Sequence, residues 1–491
     1  MICAGFMIVI ISLLKPCEVV SAEGKKDTRQ NEKPNIIILL LDCVRSDHLS
    51  CYGYARNTSP HIDALAAQGI KCNHAISQAP WTFPSVFSLL SGYYPYKHGA
   101  WYGIVLDKKQ GNPLRKKSMI PSKTISLLPE RLQKAGYLTW GFSTNPYINE
   151  ERMQERGFDE FKLLLKAPAM EVVNYGIEKI RQAAESRNHF FLYLHFMDSH
   201  RPLQPPENYY NFFPTSDGEK NKSIHEEWKF ERYLDQHEKE FRDYREHRIS
   251  LYDGTIRYMD AEIGRLIAEF KNSKLNNETL VIIVADHGEE HWDHAEFEAT
   301  HYHSCKKQGV GHGHTLFQEL IRVPLIIANF YPKGKFRFQK WKPKEIQDVV
   351  QLIDVVPTLL DYIGLEPTAS YDGNSLLPLI DGRRVPFFND NARLEYRPIF
   401  SQTTASGIKT SLIEYPNKFI RSHKETDALF NLEEDSEEKI NLIHEKRERT
   451  SDMLKKVLRF EEFKPPKTEE IPLSEDDLEK LKALGYIDSD T

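Results

Sequence analysis

The chain has 491 residues, enough for one large domain with a small companion or for two to three domains. Hydrophobic residues make up 40% and charged residues 28%, the balance of an ordinary globular protein. The net charge of −6 excludes nucleic acid as the main partner, because no basic excess exists to displace counterions from phosphates.

Ile2 to Leu14 is nearly all apolar and is followed by Lys15-Pro16 and Val20-Ser21-Ala22. So short a run does not span a bilayer as a helix. It predicts a signal peptide over 1–22, cut after Ala22, and hence a secreted or periplasmic protein with no membrane span after cleavage. The alternative is an uncleaved anchor, since no Lys or Arg precedes the apolar run. Glu23 to Lys33 is charged and reads as a flexible leader. Of the six cysteines, Cys43, Cys51, Cys72 and Cys305 remain after cleavage. They are too few for a disulfide scaffold, leave room for one bridge, and form no CxxC zinc pattern.

The predicted elements alternate. Ile36 to Leu41 reads as a strand buried on both faces and ends in Asp42. Pro60 to Gly69 and Ile125 to Ala135 read as helices. Phe190 to Met197 is a second buried strand, ending in Asp198-Ser199-His200. Trp228 to Asn272 reads as two charged helices. Thr279 to Ala285 is a third strand, ending in Asp286-His287-Gly288, and Val323 to Ala328 a fourth. Val349 to Ile363 reads as a helix closed by Gly364. This order predicts an α/β fold with a large, mixed, mostly parallel sheet and helices on both faces. The expected boundaries are 34–396 for the main domain and 397–491 for a small α+β part. The latter holds an antiparallel sheet around Lys409 to Arg421 and helices over 436–460 and 474–484.

Ala79 to Gly92 carries a hydroxyl, Thr82, just ahead of Pro84 and an apolar helix-like run. Proline suits a first helical turn, and free N–H groups at a helix start favour an anion or alkoxide. Thr82 therefore reads as a candidate nucleophile; a plain helix cap without chemistry is the other reading. Asp42, Asp286 and His287 close buried strands, where ligands bind in open α/β sheets. Carboxylate oxygens and imidazole nitrogens suit Zn²⁺, Mn²⁺, Mg²⁺ or Ca²⁺. Seven of the nineteen histidines fall between His287 and His314. His291 to His303 reads as a solvated loop, whereas His312 and His314 in Gly311-His-Gly-His314 read as functional.

Several blocks resemble the sulfatase family of the alkaline phosphatase superfamily: Pro34 to Asp42, Thr58 to Gly69, Ser91 to Gly99, Ala285 to Glu289, Glu319 to Ile327, Leu352 to Leu360, Asp372 to Pro378 and Ala428 to Ser436. The resemblance implies a sulfatase-like fold and an ester hydrolase with one or two divalent ions. It implies Asp42, Asp286 and His287 as metal ligands, Thr82 as nucleophile and ligand, and His200 as a substrate contact. His312 or His314 would stand near a family lysine, bind a second ion or protonate the leaving group.

The departures are specific. Cys43 stands where the family has a second acidic residue, and a thiol can join the metal set. The nucleophile block reads Thr82-Phe-Pro84-Ser85-Val86-Phe87, with Phe87 in place of arginine. Sulfatases oxidise Cys or Ser there to an aldehyde; a threonine gives a ketone. The expectation is a Thr82 alkoxide attacking phosphorus in preference to sulfur in a small-molecule, glycan or lipid ester. The alternatives are a sulfatase acting without the aldehyde, a phosphotransferase, and a non-catalytic binder of anionic glycans or lipids. Loops over 103–123 and 202–228 are expected to set the substrate.

Overall fold

The computed structural model describes residues 33–463, except 101–103, 107–115, 187, 216–238, 274, 276, 303–308, 331–340, 368–369, 383–396 and 405–406, together with Glu469–Pro472. The expected signal peptide, leader and C-terminal helix lie outside the described residues, as do Cys305, His303 and parts of both substrate loops.

Eight strands form the main sheet: β1 (Asn35–Leu41), β2 (Ile70–Ile76), β3 (Leu138–Ser143), β4 (Glu160–Leu163), β5 (Phe190–Phe196), β6 (Thr279–Val284), β7 (Arg322–Phe330) and β8 (Lys344–Gln351). Their order is β8-β2-β7-β6-β1-β5-β3-β4. All run the same way except β7, which is antiparallel to β2 and β6. In the centre Leu39 lies opposite Leu194 of β5 and Ile283 of β6. Every residue of β1, β5 and β6 is buried, which explains why these strands read as unbroken apolar runs.

Helices α1 (Pro60–Ala66), α2 (Thr82–Ser91), α3 (Leu128–Lys134), α4 (Ala169–Ser186), α5 (Lys239–Asn272) and α7 (Val355–Tyr362) flank this sheet, while α6 (Ala295–His301) and α8 (Arg447–Glu461) lie outside it. All ten residues of α2 are buried, so this helix is internal and not amphipathic. Among the described residues the charged region before Asn272 is one helix, α5.

The helix expected over 349–363 is divided. Val349 and Val350 continue β8 beside His74 and Ala75, and the helix starts only at Val355. The Asp354 carboxylate accepts from the Gln351 N–H at 2.8 Å and marks the change of direction. The helix expected over 436–460 begins at Arg447. Before it, Asp435 accepts from the Lys439 and Ile440 N–H groups, and these local bonds compete with helix.

A second sheet runs antiparallel in chain order: β9 (Ile399–Thr403), β10 (Lys409–Glu414), β11 (Asn417–Ser422) and β12 (Ala428–Asn431). Alternation decides its packing. Phe400, Leu412, Phe419 and Leu429 face Met453, Val457 and Phe460 of α8. Ile399, Ile413, Ile420 and Phe430 pack with Leu316, Phe317 and Ile321. Ile104–Leu106, Lys116–Ile120 and Glu469–Pro472 form a three-stranded sheet. No helix among the described residues is long and apolar enough to cross a membrane.

Candidate active site

One edge of the main sheet gathers the polar residues. The parallel strands β1, β3, β5 and β6 all end there, delivering Asp42, Asn145, His200 and Asp286. Because β7 runs the other way, the segment leading into it brings His312 to the same edge. Thr82, at the start of α2, is tied in by Ser85, whose hydroxyl donates to the Asp286 carbonyl at 2.6 Å. Thr82 itself is the first helical residue and Pro84 the third, so the proline falls within the first turn.

Asp42, Thr82, Asp286 and His287 form a fully buried cluster. Thr82 Oγ1 lies 3.4 Å from Asp42 Oδ2 and 3.3 Å from His287 Nε2. His287 Nε2 lies 3.5 Å from Asp42 Oδ1 and 3.4 Å from Asp286 Oδ2. The other imidazole nitrogen, Nδ1, is 2.8 Å from the Gly288 carbonyl, so it carries the proton and donates. In the neutral ring that leaves Nε2 as an acceptor facing two carboxylate oxygens. Asp286 Oδ2 is buried with no hydrogen-bond donor. Acceptors turned on one another need a positive charge between them, either a proton on Nε2 or a metal ion. Oxygen and nitrogen ligands held about 2.0–2.2 Å from one tetrahedral ion lie about 3.4 Å apart, which matches the observed spacings. The donor set fits a divalent ion. The bond from His287 Nδ1 to the Gly288 carbonyl fits too, since metal-binding histidines usually donate their other N–H to a carbonyl or carboxylate.

The electrostatics agree. Burial, and then the charge of Asp42, raise the Asp286 carboxyl above the usual range. Burial opposes charge on Asp42 as well, but the hydrogen bond from His195 and the nearby imidazoles outweigh it and hold that carboxyl low. Burial opposes charge on His287, yet Asp286 and Asp42 prevail and raise it.

His312 and Cys43 stand beside this cluster. The His312 ring lies 4.4 Å from His287 and 5.1 Å from His200, between centroids. Cys43 Sγ is 3.1 Å from Asp42 Oδ1 and 3.6 Å from His312 Nδ1. Burial, then Asp42 and Glu289, push the Cys43 thiol up, so without a cation it stays protonated. Cys43, His287 and His312 are close enough to share an ion, as are Asp42, Cys43 and His200. His200 Nδ1 faces the Arg201 carbonyl at 2.8 Å and His312 Nδ1 faces Glu289 Oε2 at 2.6 Å. Each ring therefore keeps Nε2 as its basic nitrogen. Burial lowers both, His312 to about 3, so both are neutral at pH 7.

His314 is placed elsewhere. Its Nε2 lies 2.7 Å from Glu290 Oε2 and 3.2 Å from Glu298 Oε1. His291 and His294, expected in a solvated loop, are buried. His294 Nδ1 meets Glu319 at 2.6 Å and its ring stacks on Phe317 at 3.7 Å. Burial opposes its charge, but Glu319 wins and raises it to about 9. A histidine raised above its unfolded value near 6.5 stabilises fully below that pH and loses the effect as pH rises through about 9. Wild type should therefore lose up to about 3 kcal/mol more stability between pH 6.5 and 9.5 than His294→Gln, as read by urea titration at each pH.

Three residues here went unread in the sequence. Asn145 Nδ2 donates to Asp42 Oδ2 at 2.8 Å and to Thr82 Oγ1 at 3.3 Å. His195 Nε2 donates to Asp42 Oδ2 at 3.0 Å, and Tyr193 donates to its Nδ1 at 3.1 Å. Glu289 orients His312. Neither Asn145 nor His195 offered a sequence signal: no strand is predicted before the first, and the second is hidden inside an apolar strand. Gly288 is required by contact, since a Cβ there would meet the Glu319 carbonyl oxygen at 1.9 Å.

Comparison with known proteins places this geometry. The family profile described as Sulfatase matches residues 34–365, and that of the N-sulphoglucosamine sulphohydrolase C-terminal region matches 311–462. An arylsulfatase of Clostridium perfringens is 25% identical over 481 residues, covering 87% of this chain and 94% of the relative. Among solved structures, Ps i-CgsB bound to k-i-k-neocarrahexaose matches with TM-score 0.63 and 18% identity, over 94% of this chain and 99% of that one. The phosphonate monoester hydrolase of Agrobacterium radiobacter matches equally, with TM-score 0.63 and 18% identity over 88% and 95%. With two thirds of its length matched by one profile and its fold shared with such enzymes, the chain belongs to the sulfatase family and is an ester hydrolase of that superfamily.

Proposed function

We propose that this protein is a metal-dependent hydrolase of phosphate esters, with sulfate esters as poorer substrates, and that Thr82 is its nucleophile. One observation carries the reading: the Thr82 hydroxyl sits within 3.4 Å of both Asp42 and His287, buried, at the start of an internal helix. Asp42, Asp286 and His287 would hold the ion. A divalent cation bound there supplies a lowered pKa at the Thr82 hydroxyl and neutralisation of ester charge.

The residues then divide the work. Thr82 Oγ1 attacks phosphorus in line; the Oγ–P bond forms, the P–O bond to the leaving alcohol breaks, and the leaving oxygen ends with the proton that Thr82 gave up. The α2 N-terminus stabilises charge on the phosphoryl oxygens, and the Asn145 amide, which donates to Asp42 Oδ2 and Thr82 Oγ1, positions the nucleophile. In the second step water attacks phosphorus, the P–Oγ bond breaks, and a proton from water returns to Thr82. His312 and His200, neutral and each with Nδ1 engaged, are the bases for that transfer. Asn145→Ala should lower kcat/KM by about 10²-fold through misplacement of Thr82, and, because it also orphans the buried Tyr147 N–H, lower the melting temperature by several degrees, in steady-state assays paired with thermal scans.

The choice of phosphorus rests on the side chains. A threonine offers a single hydroxyl and no aldehyde hydrate, so its ester must be cleaved by water. Phe87, where the family resemblance places an arginine, lies in the core against Phe83 and offers an anion nothing. One observation favours the second reading, cleavage of a sulfate ester: a relative that matches over most of the chain is named an arylsulfatase. Parallel assays of metal-loaded protein on an aryl sulfate, a phosphate monoester and a phosphate diester decide between them. Faster turnover of a phosphate ester is expected; a sulfate ester turned over fastest contradicts the preference for phosphorus.

A further inference from the structure

The loop between β6 and β7 holds a second group of ligands that the mechanism does not use. Glu290, Glu298 and His314 are all buried and bring one ligand atom each within 4.8 Å of the others. They come from three places in the chain. Glu290 lies in a two-residue strand, Glu290–His291, paired antiparallel with Val310–Gly311. Glu298 lies on α6, and His314 just beyond Gly311. His314 Nε2 is 2.7 Å from Glu290 Oε2 and 3.2 Å from Glu298 Oε1.

The outer oxygens of the two carboxylates are already engaged: Glu290 Oε1 accepts from the His294 N–H at 3.0 Å and Glu298 Oε2 from the Gly309 N–H at 2.8 Å. These bonds fix both carboxylates so that their remaining oxygens converge. Glu298 Oε1, fully buried, has no hydrogen-bond donor and points into the cluster. The neighbouring charged groups have partners of their own. His294 pairs with Glu319 at 2.6 Å and Lys418 with Glu438 at 2.7 Å. Among the described residues one imidazole is thus shared by two buried carboxylates, at 2.7 and 3.2 Å, and three potential ligand atoms face one another with no other cation beside them.

We propose that Glu290, Glu298 and His314 bind a divalent transition ion, of which zinc is the test case, and that this ion is structural. Two carboxylate oxygens and an imidazole nitrogen form a zinc-type donor set. An ion entering would spread the closer pair by about 0.7 Å towards tetrahedral spacing. Its role follows from the chain path. Glu289, adjacent to Glu290, holds His312 at the candidate active site, and His312 is two residues from His314. An ion that locks Glu290 to His314 fixes both ends of that contact. The inference does not rest on the hydrolase reading and survives its failure.

The test uses the full chain carrying Asp42→Asn, Asp286→Asn and Cys43→Ser, which takes a ligand from every group at the first cluster that could share an ion. The protein is stripped with a chelator, equilibrated with zinc chloride and desalted, and zinc is counted by mass spectrometry. One zinc per chain and a melting temperature several degrees above that of the stripped protein are expected, and Glu298→Gln should abolish both. A zinc count near zero with no thermal shift, or zinc that survives Glu298→Gln, overturns the site. Cobalt loading of that same variant, with Cys43 removed, needs no change at Glu298, so it decides even if Glu298→Gln prevents folding. Intensified, shifted d–d bands relative to aqueous cobalt support the site, and an unshifted spectrum overturns it.

Discussion

Thr82→Ala is expected to lower kcat by roughly 10⁴–10⁶-fold, the loss seen when a covalent nucleophile is removed from a site that otherwise stays intact. The substitution removes the oxygen that lies 3.3 Å from His287 Nε2 and 3.4 Å from Asp42 Oδ2. It leaves Asp42, Asp286 and His287 in place, so bound metal should remain. The folded state should tolerate the change, because only one hydroxyl and one methyl group leave a pocket lined by polar groups. Steady-state turnover, metal content and a thermal scan on the same preparation check this. Serine retains a hydroxyl, so Thr82→Ser should keep a measurable part of the rate. Loss of metal from Thr82→Ala, or turnover near wild type, would speak against the assignment of Thr82.

Asp286→Asn is expected to move two quantities in opposite directions. Activity should fall by about 10³-fold, since losing one charged ligand of a catalytic ion removes about 4 kcal/mol of transition-state stabilisation. The metal-free protein should become more stable, by about 1–3 kcal/mol, because two buried carboxylates no longer repel each other. The geometry favours the exchange. Asp286 Oδ1 accepts from the His287 N–H at 3.0 Å, and an asparagine oxygen can do the same. Its amide would then face Asp42 and His287 Nε2, where Asp286 Oδ2 now finds no donor. Stability gained while function is lost marks a residue kept for chemistry and not for folding. Denaturant titration of chelated protein and rate measurements on loaded protein test the pair. A destabilised metal-free variant would show that Asp286 is structural.

Strand ends were readable in the sequence because buried parallel strands announce themselves. Ile36 to Leu41 and Leu280 to Ala285 are apolar throughout, so Asp42 and Asp286 stand out as the residues that break each run. His195 could not be read in this way, since it lies within an equally buried strand and is compatible with burial only through Tyr193 and Asp42. Asn145 was likewise hidden, because its importance comes from β3 lying two strands from β1, a fact of sheet order. The histidine-rich loop was misjudged for a related reason. Composition there is polar, but His294 is buried against Phe317 and paired with Glu319, and each of those partners is more than twenty residues away. The division of His312 from His314 also needed three dimensions. Glu289 and Glu290 are neighbours in the chain, yet one meets His312 and the other His314.

Anomalous diffraction from crystals of the zinc-loaded protein, collected on both sides of the zinc edge, tests the central claim most directly. A peak is expected among Asp42, Asp286 and His287, with Thr82 Oγ1 at bonding distance from it. Density for an ion in that place with the Thr82 side chain turned away, or no ion there at full loading, would contradict the account.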